Sequence, residues 1–343
     1  MKVSHYFEWS DAITGGFAQS VRNQRTVLEG HGIDYTTEPT VDVDLLHLNN
    51  VGPRSLYWAK RARRADVPVV AHTHNTAADF RESFVLSNLL AEPLRPYLSY
   101  AYGQADHLVC PSEHNRDVVA EYATTPSTVI SNGFDPARLA GWDDPGLRQE
   151  YLERYDLDPP VVFMLGHVIE RKGLATFVET ARRLPESDFV WFGYLPPTGG
   201  QLDRFLQPRE TRRLVERAPD NCVFTGYIDD PRGAFAAGDV FFWPSKNENE
   251  GMALLEAMGC GKPPVIRDIP TYDWLADGEA CLKTGDDFTR AVRRLCENPR
   301  LRERIGAGAA AESEAFTLDA VGDDLVALYE RLVGERQPAD TPA

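Results

Sequence analysis

Two carboxylates in a Glu-x7-Glu pair, Glu248 and Glu256, lie in the segment Pro244-Ser-Lys-Asn-Glu248-Asn-Glu-Gly251-Met-Ala-Leu-Leu-Glu256. An apolar run ends at Pro244, a polar loop follows, and a helical pattern opens near Gly251. The amides of Met252, Ala253 and Leu254 are therefore expected at a helix start, with donors turned outward in a way that suits a phosphate. Glu248 in the loop and Glu256 one turn into the helix have the chemistry to accept hydrogen bonds from sugar and ribose hydroxyls. An acidic helix start steadied by the helix dipole is the competing explanation. A second segment, Gly166-His167-Val-Ile-Glu-Arg171-Lys172-Gly173, also follows an apolar run and opens a helix. There Arg171 and Lys172 would neutralise a diphosphate, one with a planar fork and one as a point charge; a solvated basic patch would look the same.

Weaker signals stand in the first half of the chain. Thr14-Gly15-Gly16-Phe17 follows the first strand pattern, and paired glycines let backbone approach a ligand closely. The spacing is not Gly-x-Gly-x-x-Gly, which disfavours a dinucleotide site. His72-Thr-His74-Asn75 comes just after another strand pattern. Its two histidines invite a metal, but no third ligand is evident; contact with substrate hydroxyls is better motivated for His74, and core packing for His72. Asp42-Val-Asp44 has the spacing of a metal–nucleotide motif but precedes a strand, where a turn is expected. Five scattered cysteines without a Cys-x-x-Cys indicate neither a disulfide framework nor a zinc site.

These residues must be held by an alternation of short β-rich runs and longer helical patterns, the signature of parallel α/β architecture. Strands are expected at Val3–Phe7, Leu45–Leu48, Val67–Ala71, His107–Cys110 and Thr128–Ile130, with helices near 16–30, 54–65, 81–104 and 113–122. The Pro-, Gly- and Asp-rich stretches Gly141–Gly146 and Asp156–Pro160 read as a linker. The alternation then restarts, with strands at Val161–Leu165, Phe189–Phe192, Val223–Tyr227, Val240–Trp243 and Pro264–Arg267. In the helix between the first two of these, Leu174, Phe177, Val178 and Ala181 form one buried stripe. Helices follow at 286–297, 300–314 and 318–333. The expected domains are 1–150 and 158–316, with a helix at 318–334 packing back on the first and a disordered tail at 335–343. Two such open α/β domains joined by a hinge would face each other across a cleft at their strand ends.

Composition narrows the function. The net charge of −16 excludes broad nucleic-acid binding. No apolar run approaches the roughly 20 residues that span a bilayer, and the opening residues lack a secretory apolar stretch, so cytoplasmic residence is expected. Only six of the 36 basic residues are lysine, against 52 acids. That balance fits a halophilic host, where salt screens self-repulsion; an arginine-rich bias from a GC-rich genome fits equally. Arg54-Ser-Leu-Tyr57-Trp58-Ala-Lys60-Arg61-Ala-Arg63-Arg64 gathers five positive charges beside aromatics, suited to anionic headgroups, or to an ordinary helix with a solvated face.

Taken in order, the segments resemble the retaining glycosyltransferases of family 4, which have the GT-B fold of two Rossmann-like domains. The likeness rests on Gly15-Gly16, Ser131-Asn-Gly-Phe-Asp135, Gly166 to Gly173, Phe224-Thr-Gly-Tyr227, and Glu248 with Leu255-Glu-Ala-Met258. It implies a nucleotide-sugar donor with Glu256 on the ribose, Glu248 on the transferred sugar, Lys172 on the diphosphate and the Gly16 backbone near the phosphates. The implied donor-side set is Gly15, Gly16, Arg171, Lys172, Tyr227, Glu248, Gly251, Met252, Ala253, Leu254 and Glu256, with His74, Lys172 and Glu248 at the reaction centre and no metal or other cofactor required. His167 stands where such enzymes usually carry arginine. A narrower likeness, in Asp79–Phe84, Asp188–Gly193 and Val265–Tyr272, is to the diacylglycerol glucosyltransferases. It implies glucose transfer from a UDP- or GDP-sugar to a membrane glycerolipid, with peripheral contact on the inner face of the cell membrane and a greasy acceptor groove over 84–102. A lipid-linked glycan or surface polysaccharide acceptor, a sugar-nucleotide epimerase or phosphorylase, and a non-catalytic nucleotide-sugar-binding protein are the alternatives.

Overall fold

The computed structural model describes residues 1–76, 87–193 and 209–336, the first six of the middle stretch by backbone alone. The sequence expectations for Asp79–Phe84, for the start of the helix at 81 and for the tail beyond Arg336 lie outside the described residues. No helix among them is long and apolar enough to cross a membrane.

The described residues form two compact units. The first takes most of the chain up to Gly133 and regains it at Phe316; the second runs from Phe134 to Ala315. In the first unit six parallel strands, β1 (Lys2–Tyr6), β2 (Asp34–Thr36), β3 (Leu45–Leu48), β4 (Val69–His72), β5 (His107–Cys110) and β6 (Ser127–Val129), are ordered β2-β1-β3-β4-β5-β6. Helices Gly16–Gly30, Pro53–Arg64, Ser87–Tyr102 and Glu113–Ala120 provide the crossovers. Helix Leu318–Arg336 packs beside Gly16–Gly30, adding Leu318, Val321, Leu325, Leu328, Tyr329 and Leu332 to a core with Val3, Leu28, Leu45 and Val70. β2 escaped the sequence reading because Asp34-Tyr-Thr36 is a short, partly exposed edge with no apolar pattern.

The second unit has its own six-stranded parallel sheet: β7 (Val162–Leu165), β8 (Phe189–Phe192), β9 (Cys222–Gly226), β10 (Val240–Trp243), β11 (Pro264–Arg267) and β12 (Leu282–Thr284). Its order is β12-β11-β10-β7-β8-β9. Central strands reading Phe189-Val-Trp-Phe192 and Val240-Phe-Phe-Trp243 are wholly buried, as a sheet covered on both faces requires. Each large side chain sequestered there contributes roughly 1.5–3 kcal/mol. In helix Leu174–Arg183 the buried residues include Leu174, Phe177, Val178 and Ala181, the stripe expected from spacing.

The domain break expected at 150 falls instead at Gly133/Phe134. What reads as linker contains helix Pro145–Tyr155, started by the Asp144 carboxylate accepting from the Gly146 amide at 2.7 Å and ended by Asp156 in the left-handed region. This helix is riveted to the second unit. Arg148 donates to the Ala236 and Ala237 carbonyls at 2.7 and 3.0 Å, and pairs with Asp239 at 3.0 Å. Capping residues and a breaker look alike in sequence; only their partners separate them. Of the expected acceptor groove over 84–102, the side chains of 84–92 lie outside the described residues; in the rest, Leu98, Ala101 and Tyr102 are core residues while Tyr97 and Tyr100 are exposed. Asp44 accepts from the Lys2 amide at 2.7 Å, consistent with a turn before β3.

Across helices Gly16–Gly30 and Leu318–Arg336, His31 Nε2 meets Asp323 Oδ1 at 3.0 Å while Nδ1 meets the Val27 carbonyl at 2.8 Å. The Asp323 hydrogen bond raises the imidazole above its ordinary value. A raised folded-state value stabilises fully below the unfolded pKa near 6.5 and is lost as pH rises through the folded one. His31→Gln is therefore expected to lower the melting temperature by about 1–2 °C at pH 5.5. The gap should close by pH 8.5 in a differential scanning series.

Candidate functional site

Open parallel sheets offer ligands the crevice beyond their strand C-termini where strand order reverses. In the second unit that reversal lies between β7 and β10. The loops leaving these two strands carry Gly166–Gly173 and Pro244–Gly251, the two strongest segments of the sequence. The structure joins them. Lys172 Nζ lies 2.5 Å from Glu248 Oε1, and Arg171 Nη1 is 3.8 Å from Glu248 Oε2. Ser245 Oγ donates to Glu248 Oε1 at 2.6 Å, and Thr271 Oγ1 donates to the Glu248 carbonyl at 2.8 Å. Arg171 also donates to the Asn247 carbonyl at 2.8 Å. Glu248 is only 6% exposed. Burial pushes its carboxyl up, but the Lys172 and Arg171 charges, with hydrogen bonds from Lys172 and Ser245, outweigh burial and hold it below the usual range.

Aromatic residues floor the cluster. Lys172 Nζ stands 4.4 Å over the Trp243 ring, whose Nε1–H donates to the Tyr272 hydroxyl at 2.7 Å. Gly251 has φ +94, and a Cβ there would meet the Tyr272 hydroxyl at 2.6 Å. Gly173 has φ +84, and its Cβ would lie 2.4 Å from the Pro244 carbonyl oxygen, so only glycine lets the two loops touch. Arg267 fastens the same carbonyl, donating at 3.1 Å, and reaches Thr176 at 3.1 Å. Ser245, Thr271, Tyr272 and Arg267 were not singled out as functional from sequence. All four fall within the quoted segments Pro244–Glu256 and Val265–Tyr272, which was the available signal, but their types alone do not set them apart from their neighbours.

Glu256, 5% exposed on helix Met252–Gly259, is ion-paired with Arg138 Nη1. Arg138 too went unnoticed, although it stands three residues after the Ser131–Asp135 segment. The helix start corrects one expectation. The Leu254 amide already donates to the Gly251 carbonyl at 2.9 Å, so it is not turned outward. His167, at the end of β7, is pushed down to about 4 by burial and by the Lys172 and Arg171 charges, so it is neutral near pH 7. Tyr227 follows β9 and is 69% exposed.

In the first unit the reversal lies between β1 and β3. Gly15 caps helix Gly16–Gly30 beyond β1. His74 follows β4; its Nε2 is 3.4 Å from Asn49 Oδ1, and its ring contacts Phe17 at 4.3 Å between centroids. His72 and His74 lie ring on ring, 4.0 Å apart and 4° from parallel, a stack rather than two ligands converging on one point. Nearby, the Glu8 carboxylate accepts from the Arg54 and Ser55 amides at 3.1 and 2.7 Å, capping helix Pro53–Arg64. That helix buries Ser55, Ala59 and Ala62, and leaves Arg54, Tyr57, Lys60, Arg61, Arg63 and Arg64 exposed.

Two family models match the chain: "Glycosyltransferase Family 4" over residues 16–138 and "Glycosyl transferases group 1" over 149–312. The processive diacylglycerol alpha-glucosyltransferase of Acholeplasma laidlawii is 30% identical, over 97% of this chain and 99% of that one. The alpha-galactosylglucosyldiacylglycerol synthase of Streptococcus pneumoniae is 24% identical, over 93% and 85%. Among solved structures, Anabaena HepE in complex with UDP-glucose superposes with a TM-score of 0.77 at 17% identity, covering 96% of this chain and all of that one. Sucrose-phosphate synthase of Thermosynechococcus elongatus gives 0.78 at 16%, covering 98% and 100%.

Because the Gly173–Pro244 approach sets where Lys172 sits, Gly173→Ala is expected to cost about 2 kcal/mol or more in urea unfolding. Gly30→Ala, where nothing lies within 4 Å of the added carbon, is the control and should change little.

Proposed function

The chain belongs to the glycosyltransferases, its halves matching family 4 and group 1 in the GT-B arrangement of two parallel six-stranded sheets, and on that premise we propose that it moves a hexose, glucose foremost, from a UDP- or GDP-sugar to a membrane glycerolipid hydroxyl with retention of the α-configuration. The observation that carries the donor reading is the buried Lys172–Glu248–Arg171 cluster at the β7/β10 reversal. Departure of a nucleoside diphosphate builds negative charge on its phosphates. Lys172, Arg171 and the Met252 and Ala253 amides would stabilise that charge where it develops.

Glu248 would take hydroxyls of the transferred sugar. Glu256, steadied by Arg138, would take those of the ribose. Gly15 and Gly16 would let backbone approach the phosphates, and His74 would stand at the reacting sugar. The acceptor hydroxyl attacks the face that the diphosphate leaves and passes its proton to the departing phosphate oxygen. The lipid acceptor and glucose draw support from the names of the two diacylglycerol-linked relatives; UDP draws support from the ligand in the HepE structure. The cationic face of helix Pro53–Arg64, with Arg61 against Tyr57 and Trp58 at 5.9 and 5.0 Å, would rest on anionic headgroups at the inner membrane surface.

With UDP-glucose and dispersed diacylglycerol, the product's anomeric proton should show the α-linkage by NMR; a β-linked product would refute retention. Lys172→Ala is expected to cut kcat by about 100-fold or more at saturating donor. Glu256→Ala should chiefly raise the donor KM. The full chain should float with anionic liposomes at low salt and be released at high salt, and absence of flotation at low salt would refute the membrane contact.

A further inference from the structure

A parallel sheet covered on both faces is ordinarily apolar inside, yet β1, β3 and β4 bury His5, His47 and His72 at 0, 0 and 3% exposure. Helix Gly16–Gly30 answers them with Gln24, itself buried. Gln24 touches two of the rings: its Oε1 is 2.8 Å from His5 Nε2, and its Nε2 is 3.2 Å from His72 Nδ1.

The direction of these bonds follows from Arg25, which can only donate. Its Nε–H faces His5 Nδ1 at 3.4 Å, and the Asn49 amide –NH2 lies 3.4 Å from the same nitrogen and 3.2 Å from Nε2; with two donors turned to Nδ1, that nitrogen is assigned as the acceptor. His5 is neutral, pushed down to about 3 by burial and by the Arg25 charge, and its one proton therefore sits on Nε2. Nε2–H then donates to Gln24 Oε1, which turns the Gln24 amide –NH2 toward His72 and makes His72 Nδ1 the acceptor. His72, also neutral, carries its proton on Nε2. On this ring, in one tautomer and one plane, His74 is stacked at 4.0 Å.

We propose that Gln24 is a positioning residue for His74: by bridging His5 and His72 it fixes the tautomer and plane of the His72 ring on which His74 lies. This rests on the reading of His74 as the residue at the reacting sugar and adds the device that aims it. His72 Nε2 is buried without a hydrogen bond among the described residues, so the bond from Gln24 to Nδ1 is the one that orients the His72 ring, and a catalytic ring stacked on it inherits that orientation.

The proposal is tested on the full chain with 15N-labelled histidine. In the wild type, long-range 1H–15N correlation should show His72 as the Nε2–H tautomer; a proton on Nδ1 overturns the proposal without any variant. Gln24→Met keeps the volume and removes both bonds, together with the 3.3 Å bond that Gln24 Nε2 donates to Ser20 Oγ. It is expected to mix the His72 tautomers and to lower kcat by about 10- to 100-fold, with the donor KM within about twofold of wild type. Gln24→Met in the His74→Ala background should add no further loss, since both act through one ring; multiplied losses would make Gln24 merely structural and overturn it. If His74→Ala lowers kcat and Gln24→Met does not, positioning alone fails. If His74→Ala turns over at the wild-type rate, the reading of His74 fails and the proposal with it.

Discussion

A carboxylate held charged inside the second unit is the constraint around which its functional loops are built. Burial alone would push Glu248 toward its neutral form; it stays charged because Lys172, 2.5 Å away, and Arg171 stand beside it and Ser245 donates to it. Keeping them there requires two loops from different strands to touch, hence the glycine at 173, the Arg267 clasp on the Pro244 carbonyl and the Ser245 and Thr271 hydroxyls on Glu248. The cluster is poised rather than inert. A pair already taken from water needs little further desolvation to exchange one partner for a ligand phosphate or hydroxyl.

Much of this was legible in the amino-acid order because parallel sheets write themselves plainly. Runs such as Val240-Phe-Phe-Trp243 end abruptly in polar loops, and residues that meet a ligand at strand ends must sit in those loops. Glu248, Lys172 and Arg171 could thus be found without knowing that they touch. Residues whose role is defined by a distant partner were not legible. Arg138 meets Glu256 across 118 positions, and Arg148 meets Asp239 across 91. Helix Pro145–Tyr155 was read as linker for the same reason: its Asp, Pro and Gly are capping residues once Arg148 anchors it, and breakers otherwise.

The first unit departs from the pattern in an instructive way. His5, His47 and His72 look like faults in apolar strands, and of the three only His72 draws a reading from sequence, as a packed core histidine. Their partners come from two helices: Gln24 and Arg25 from Gly16–Gly30, and the Tyr329 hydroxyl, which meets His47 Nδ1, from Leu318–Arg336. Histidines that break a hydrophobic period together, in neighbouring strands, are one feature read three times.

That Tyr329 completes this unit has a consequence for biogenesis. A ribosome delivers Val3, Leu28, Leu45 and Val70 early, but the Leu318, Val321, Leu325 and Tyr329 that cover them emerge only after the whole second unit has been made. The nascent first unit must wait, unfinished and sticky, while its successor folds behind it. Helix Leu318–Arg336 therefore completes a unit that the chain began long before, and termination anywhere before Phe316 leaves that unit open to chaperones and proteases.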